Sequence, residues 1–301
     1  RGRAAGAGAA GRGAEQQAEG VGPLSDETLE RLQQDLLALK DEPLLVVTGA
    51  GVSLASGIPT FRGSDPGAVW STDVTELGTV EYFFKDPVGA WMWYLQRFGG
   101  LTDKQPNHAH RALVELEHWH RGRGGLFLLA TQNIDTLHEQ AGTQTLVKAH
   151  GSADLLRCTG ERCELGAPEG FIERSRLDRA LKAFAANPSK ATLPRCPKCG
   201  ELVRPHVLWF DEDYLSHGRY EFPRVQKTAD RAGMVLFVGT SFSVGLTDSV
   251  IRRAAYAGAH LYSIDPSGQQ PHPQVIPVTF SAEVALPRLT GALAARGDAR
   301  G

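Results

Sequence analysis

No apolar run in this 301-residue chain approaches the roughly 18 residues that carry a helix across a bilayer. The longest runs, such as Met234–Val238, suit buried strands, so no membrane partner is expected. Charge of one sign is also lacking. Against 34 acids stand 32 Lys and Arg, and the formal net charge of −2 gives no general attraction to nucleic acid or anionic lipid. An apolar segment of the secretory kind is absent from the first residues, which favours an intracellular, cytoplasmic setting, or a mitochondrial one if the source is eukaryotic. Residues 1–23 contain no aromatic side chain and no β-branched one before Val21. Such a Gly/Ala-rich stretch cannot bury enough surface to offset its chain entropy, and a disordered tail is expected. Arg1, Arg3 and Arg12 precede its first acid, Glu15, in the manner of a transit peptide, but serine is missing and no amphipathic face is visible. Cysteine is scarce: four residues, all between Cys158 and Cys199.

What is present is ordinary for a globular protein, with 42% hydrophobic and 22% charged residues. That length can bury one large core, or one large domain with a smaller satellite. Ser25-Asp-Glu-Thr reads as a helix start, followed by Leu29, Leu32, Leu36, Leu37 and Leu39 at helical spacing. Leu44–Thr48, Leu126–Ala130, Met234–Val238 and His260–Ile264 are short apolar runs of the kind found in buried parallel strands. Helical stretches lie between them at Pro87–Phe98, His108–Trp119 and Val244–Ala257. This alternation predicts a doubly wound α/β fold with a Rossmann-like parallel sheet. The alternation breaks from about Arg157 to Arg204, where the cysteines, a polar helix-like stretch (170–186) and Pro188, Pro194 and Pro197 fall.

The strand Leu44–Thr48 runs into Gly49-Ala-Gly51. Glycine there lets backbone approach a pyrophosphate, and a following helix start offers free N–H groups. A glycine turn used only to reverse the chain reads the same way. The dehydrogenase pattern G-x-G-x-x-G fails at Leu54, and no clear acid follows about 20 residues on, so hydride transfer is disfavoured. The full string Gly49–Ser53 through Ser56–Gly63 resembles the signature of the sirtuins, the NAD-dependent protein lysine deacylases. The resemblance continues, in the family's order, at Thr131–Asp135 (TQNID), His150-Gly151, Cys158 to Cys199, and Gly239–Ser241, and covers about residues 25–290.

The resemblance implies a Rossmann-like core over about 24–73, 100–156 and 205–290, a helical subdomain over about 74–99, and a zinc module over about 157–204. It implies NAD as co-substrate and the acylated lysine of a protein or peptide as partner, with a monomer as the working form. In the family's reaction the acyl oxygen attacks the ribose carbon that carries nicotinamide. The products are free lysine, nicotinamide and O-acyl-ADP-ribose. His150 stands at the position of the base, a role suited to an imidazole with an ordinary pKa of about 6.5. Asn133 and Asp135 would orient the ribose and nicotinamide amide, with Gln132 holding the ribose near His150. Gly49, Ala50, Gly51, Ser53, Gly239, Thr240 and Ser241 would line the cofactor site, and Phe61 and Arg62 would cover the reactive ribose. Val207, Trp209 and Phe210 lie in a strip resembling the edge that pairs with substrate backbone. Two residues depart from the pattern: Asp265 replaces Asn near the adenine ribose, and Asp211 replaces Gly within the strip. A mono-ADP-ribosyltransferase and a non-catalytic NAD sensor are the competing readings.

Cys158-x4-Cys163 and Cys196-x2-Cys199 form two close pairs whose spacing suits a closed, structural Zn2+ site. Two disulfides, or a zinc ribbon that binds nucleic acid, are the alternatives; an intracellular setting disfavours the first, and no basic and aromatic cluster surrounds the pairs for the second. Tyr94 and Arg97, at i,i+3 on one predicted helix, resemble the pair that marks sirtuins preferring succinyl, malonyl or glutaryl lysine, and Gly78 would make room for the longer chain. An arginine fork suits a carboxylate. An ordinary deacetylase is the alternative.

Overall fold

The computed structural model describes residues 23–59 and 76–297. The tail expected to be disordered falls, up to residue 22, outside these residues, as do Phe61 and Arg62. The first helix, α1, spans Pro23–Ala38, and β1 (Leu44–Thr48) follows it. A six-stranded parallel sheet runs in the order β3-β2-β1-β7-β8-β9, formed with β2 (Phe127–Thr131), β3 (Leu146–Lys148), β7 (Met234–Val238), β8 (His260–Ile264) and β9 (Val275–Val278). β1 pairs β2 with Leu44 opposite Phe127, and pairs β7 with Leu44 opposite Met234. The chain builds outward from β1 in one direction and then restarts beside β1 at β7. That reversal creates the crevice where open α/β sheets hold ligands.

The doubly wound expectation is borne out, and the strand residues explain it. Successive side chains of a strand face opposite ways. Leu44 and Val46 join one core with Leu32 and Leu36 of α1, Leu113 and Leu116 of the helix His108–Gly122, and Leu286 and Leu289 of the final helix. Leu45 and Val47 join the opposite core with Val225, Leu246 and Val250. Every residue of β1 is buried, which suits the apolar run Leu44–Val47 on both faces, and the terminal Thr48 hydroxyl is hydrogen-bonded to Thr131 Oγ1.

A second, antiparallel sheet of three strands takes the order β5-β4-β6, with β4 at Gly151–Cys158, β5 at Ile172–Glu173 and β6 at Val203–Val207. It shares a core with α2 (Val80–Lys85) and α3 (Pro87–Phe98), in which Phe83, Trp91, Tyr94 and Phe98 meet Leu156, Phe184 and Val203. α3 begins on Pro87 behind the Asp86 cap, whose carboxylate accepts from Gly89 N–H at 3.0 Å.

Several boundaries differ from expectation. β2 lies one residue later than Leu126–Ala130, because Leu126 is 60% exposed and its carbonyl instead accepts from Leu44 N–H. The helix expected over His108–Trp119, α4, continues to Gly122, with His120 buried. The polar stretch 170–186 is not one helix; β5 and a 3₁₀ turn precede α6 (Asp178–Ala186). Between β2 and β3 lies α5 (Leu137–Ala141); α7 (Phe222–Ala229) follows β6, α8 (Gly245–Tyr256) follows β7, and α9 (Ala282–Gly297) follows β9. No described helix is long and apolar enough to cross a membrane.

Candidate active site

The glycine turn continues β1 into a 3₁₀ helix, Ala50–Ser56, that ends on Gly57 with φ 76°. It packs backbone to backbone on a second turn at the end of β7. A Cβ on Gly49 would stand 2.7 Å from the Gly239 carbonyl oxygen, and one on Gly51 would stand 2.7 Å from Gly239 Cα. Gly239 itself has φ 58° and would set a Cβ 2.5 Å from Val52 N. Three glycines are therefore required by close approach and, at Gly239, by the left-handed conformation.

These turns form one wall of a cavity of ≈ 650 Å³, within the usual range for small-molecule sites. The carboxyl end of β2 contributes Gln132 and Asn133, the entry to β4 contributes His150, and the strip after β6 contributes Val207, Trp209 and Phe210. Gly49, Ala50, Gly51, Gly78, Tyr94, Gly239, Thr240, Ser241 and Asp265 also line it. Ser53, Asp135 and Arg97 do not; they line a small adjoining recess together with Ala50 and Asn133.

Hydrogen bonds lock the β2 end. Gln132 donates from Nε2 to Thr240 Oγ1 at 3.0 Å, bridging the ends of β2 and β7. Asn133 donates from Nδ2 to the Gly49 carbonyl and to Ser53 Oγ, both at 3.1 Å. Ser53 in turn donates to Asp135 Oδ2 at 2.9 Å, and Asp135 Oδ1 caps Leu137 N–H at 3.1 Å. Asn133 and Asp135 are nearly buried, so their polar atoms are oriented before any ligand arrives.

His150 is half-buried, and burial pulls its pKa down to about 4 against a raising contribution from the Gln132 carbonyl. The ring is neutral at pH 7. Its Nδ1 hydrogen-bonds the Gln132 carbonyl oxygen at 2.9 Å, and its Nε2 lies 3.0 Å from Tyr214 Oη. Tyr214 was not among the residues singled out by the sequence. It sits in a loop whose partners are distant in the chain, and no local motif marks it.

The strip is tied at several points. Leu208 N–H donates to the His150 carbonyl at 2.9 Å, and Phe210 N–H to the Gly78 carbonyl at 3.0 Å. Asp211 accepts from Val80 N–H at 2.8 Å and Glu81 N–H at 3.2 Å, so it caps α2. That gives the departure from glycine a structural account. Beneath the strip, Glu212 is paired with the buried Arg157 and Arg204. The Arg204 guanidinium lies 3.6 Å from the Trp209 ring centroid. Burial would raise the Glu212 carboxyl, but the Arg204 hydrogen bond and both positive charges outweigh it and hold the carboxyl below its ordinary range.

At the other departure, Asp265 Oδ1 accepts from Ser267 N–H at 2.9 Å on the cavity rim. Ser241 is exposed there, with Oγ 2.7 Å from Ser243 Oγ. Tyr94 and Arg97 share a helix but diverge. Tyr94 packs on Trp91 and Phe98 and presents a buried hydroxyl without a hydrogen-bond partner among the described residues, its pKa pushed up by burial. Arg97 lies beside the Trp93 ring, 5.9 Å from its centroid, and faces the recess.

The four cysteines converge. Cys158 and Cys199 sulfurs are 3.3 Å apart, Cys163 and Cys196 sulfurs 3.7 Å, and all four lie within 4.8 Å of one another. These separations exceed an S–S bond of about 2.05 Å, so the disulfide reading falls. Tetrahedral zinc with Zn–S of about 2.3 Å sets sulfurs about 3.8 Å apart, and the donor set fits it. None of the four lines the cavity, so the ion's place is structural.

A parallel sheet reversing at β1 and β7, with its glycine turns facing a cavity closed by an antiparallel four-thiol module, is the frame of an α/β enzyme that takes a nucleotide. The chain belongs to the Sir2 family, whose model matches residues 49–245. It is 39% identical over 242 residues to an NAD-dependent protein deacylase of Thermus thermophilus, covering 79% of this chain and 85% of that protein. It is 41% identical over 198 residues to one from Pyrococcus abyssi, covering 65% and 71%. Among solved structures, a Sir2 homologue complexed with NAD superposes with a TM-score of 0.70 at 32% identity, over 89% of this chain and 94% of that one. A mutant Sir2 homologue complexed with ADP-ribose gives 0.73 at 31%, over 89% and 98%.

Proposed function

We propose that the chain is an NAD-dependent protein lysine deacylase that favours lysines carrying succinyl, malonyl or glutaryl groups. The deacylase reading rests chiefly on one observation: a neutral His150 faces the cavity from beside the glycine turns, with its proton held on Nδ1 by the Gln132 carbonyl. Nε2 is then the atom that takes a proton from a ribose hydroxyl. Bound NAD would supply an electrophilic ribose carbon at this place. Asn133 and Asp135 offer pre-oriented polar atoms around the recess, and the glycine turns leave room for phosphates. Strip residues Val207, Trp209 and Phe210 form the side on which a peptide would lie. The activity named for the relatives agrees with this arrangement.

The acidic-acyl preference is supported by the Tyr94 hydroxyl. A buried hydroxyl ordinarily has a partner; Tyr94 lines the cavity and its hydroxyl has none among the described residues, a hydrogen bond that an acyl carboxylate would complete. Arg97, one helical turn away, lines the adjoining recess that shares Phe98, Asn133 and Ile134 with the cavity, and would supply the cation from there. One charge-assisted hydrogen bond contributes about 1.5–3 kcal/mol, roughly ten- to a hundredfold in preference. The test is incubation with NAD and a panel of acetyl, succinyl, malonyl and glutaryl peptides, scored for nicotinamide and O-acyl-ADP-ribose by mass spectrometry. Arg97→Met should lower succinyl turnover about ten- to a hundredfold more than acetyl turnover. Equal losses on both would overturn the preference, and no O-acyl-ADP-ribose from any peptide would overturn the deacylase reading.

A further inference from the structure

We propose that Tyr214 is a positioning residue for His150: its hydroxyl donates to Nε2 and fixes the imidazole in one tautomer and one orientation while the cofactor is absent. This inference rests on the reading of His150 as the base.

The direction of each hydrogen bond follows from the atoms. A carbonyl oxygen only accepts, so the 2.9 Å contact from His150 Nδ1 to the Gln132 carbonyl places the ring proton on Nδ1. A neutral ring with Nδ1–H has its lone pair on Nε2, and the Tyr214 hydroxyl at 3.0 Å must therefore be the donor. The donor itself is held. Its ring stacks on Phe222, the first residue of α7, with centroids 4.4 Å apart and planes at 18°. The first turn of α8 adjoins it, and the Leu246 N–H there acts to lower the phenol's pKa. A directional relay thus runs from Tyr214 through His150 to the Gln132 carbonyl at the end of β2.

Charges do not compete with this pairing. Burial and the Gln132 carbonyl are the influences on His150, with no charged side chain among them from the described residues. The other titratable groups on the cavity wall are Tyr94, Glu212 and Asp265. Glu212 is committed to Arg157 and Arg204, and Asp265 to Ser267 N–H. Asp213, beside Tyr214, and above all burial push the phenol up to about 12 against the Leu246 N–H, so the hydroxyl keeps its proton and remains a donor.

The Nε2 lone pair is the one that proton abstraction requires. Tyr214 occupies it in the free protein, aimed into the cavity. A ribose hydroxyl arriving there exchanges with the phenol and meets a ring already in the right tautomer, so no ring flip precedes the chemistry.

The decisive variant is Tyr214→Phe, which keeps the stacked ring and deletes the donor. In the cofactor-free protein, the His150 ring signal is assigned by its disappearance in His150→Gln and followed by NMR against pH. Loss of a donor to the neutral ring should raise the titration midpoint by about half to one pH unit. The nitrogen shifts should change from a single tautomer to a mixture. The acid limb of kcat/KM, which reports the free enzyme, should rise by the same amount. An unchanged midpoint and tautomer in a variant that melts like the wild type would overturn the proposal. Should Tyr214→Phe fold poorly, Phe222→Leu, which loosens the stack and retains the hydroxyl, should give the same upward shift at smaller size; no shift there overturns it equally. Full turnover by His150→Gln would instead remove the base reading, while the NMR titration still decides the Tyr214 contact.

Discussion

The two sheets of this protein are stabilised by different means. Around the parallel sheet, β1 and β7 are largely apolar strands buried on both faces, held by their backbone ladders and by apolar packing. The small antiparallel sheet's side carries the four-thiol cluster, with Cys199 exposed, and buries the Arg157–Glu212–Arg204 group and His206 packed on His217 and Tyr220. The first side depends on area removed from water, which varies little with pH or metal. The second depends on a bound ion and on protonation states. The catalytic candidates lie along the seam between them, so the site should inherit the weaknesses of the second side.

Metal removal should separate the two most sharply. Chelation, or Cys163→Ala, should withdraw stabilisation on the order of 10 kcal/mol from the small-sheet side, the scale of structural zinc sites. Hydrogen exchange followed by mass spectrometry should show β4 and β6 losing protection while β1 and β7 retain theirs, and deacylation should stop. Simultaneous loss in both sheets would erase the distinction.

Glu212→Gln should come next, at about 3–5 kcal/mol, because it leaves two guanidinium groups buried without their anion. The same side should also be the more sensitive to acid. His206 is pulled down to about 2, first by burial and then by nearby positive charges, from an ordinary 6.5. Below pH 6.5 the unfolded chain gains a proton there that the folded chain refuses, so stability falls with pH. Glu212, with a depressed pKa, adds stability above its ordinary 4.5 that is lost as pH falls through its folded value. Thermal unfolding from pH 7 to 4 should show this decline, and Glu212→Gln should remove its steepest part below 4.5.

The smallest effect should belong to Asp211→Ala. Two N–H groups of α2 lose their cap, a cost of about 0.5–2 kcal/mol. Denaturant titration should detect it, together with a raised KM for peptide, since the strip and α2 are joined through that carboxylate.

This contrast also explains what the sequence made legible. β1, β7 and β8 stand out as mainly apolar runs because burial on both faces leaves little place for polar residues. β6 does not. Val203-Arg-Pro-His-Val207 carries no apolar run, yet Arg204 and His206 are buried in it, Arg204 paired with Glu212 and His206 packed on His217 and Tyr220, partners that only the fold brings near. β9 is hidden similarly by Pro277, which an edge strand tolerates. Among site residues, His150, Gln132 and Asn133 carry a local motif and meet at one cavity, and the cysteines declare themselves by spacing. Tyr214 had no such signal, and the divergence of Tyr94 from Arg97 depends on how α3 packs.

The glycine contact at the head of the sheet has a practical meaning for anyone reshaping this protein. Gly49, Gly51 and Gly239 come from the two halves of the doubly wound sheet, yet each occupies the volume the others leave open. They behave as teeth of one gear: an alanine at any of the three meets backbone, which cannot be trimmed by a compensating mutation. A chimera that joins one half of this sheet to the other half of a relative must therefore carry the three glycines across together.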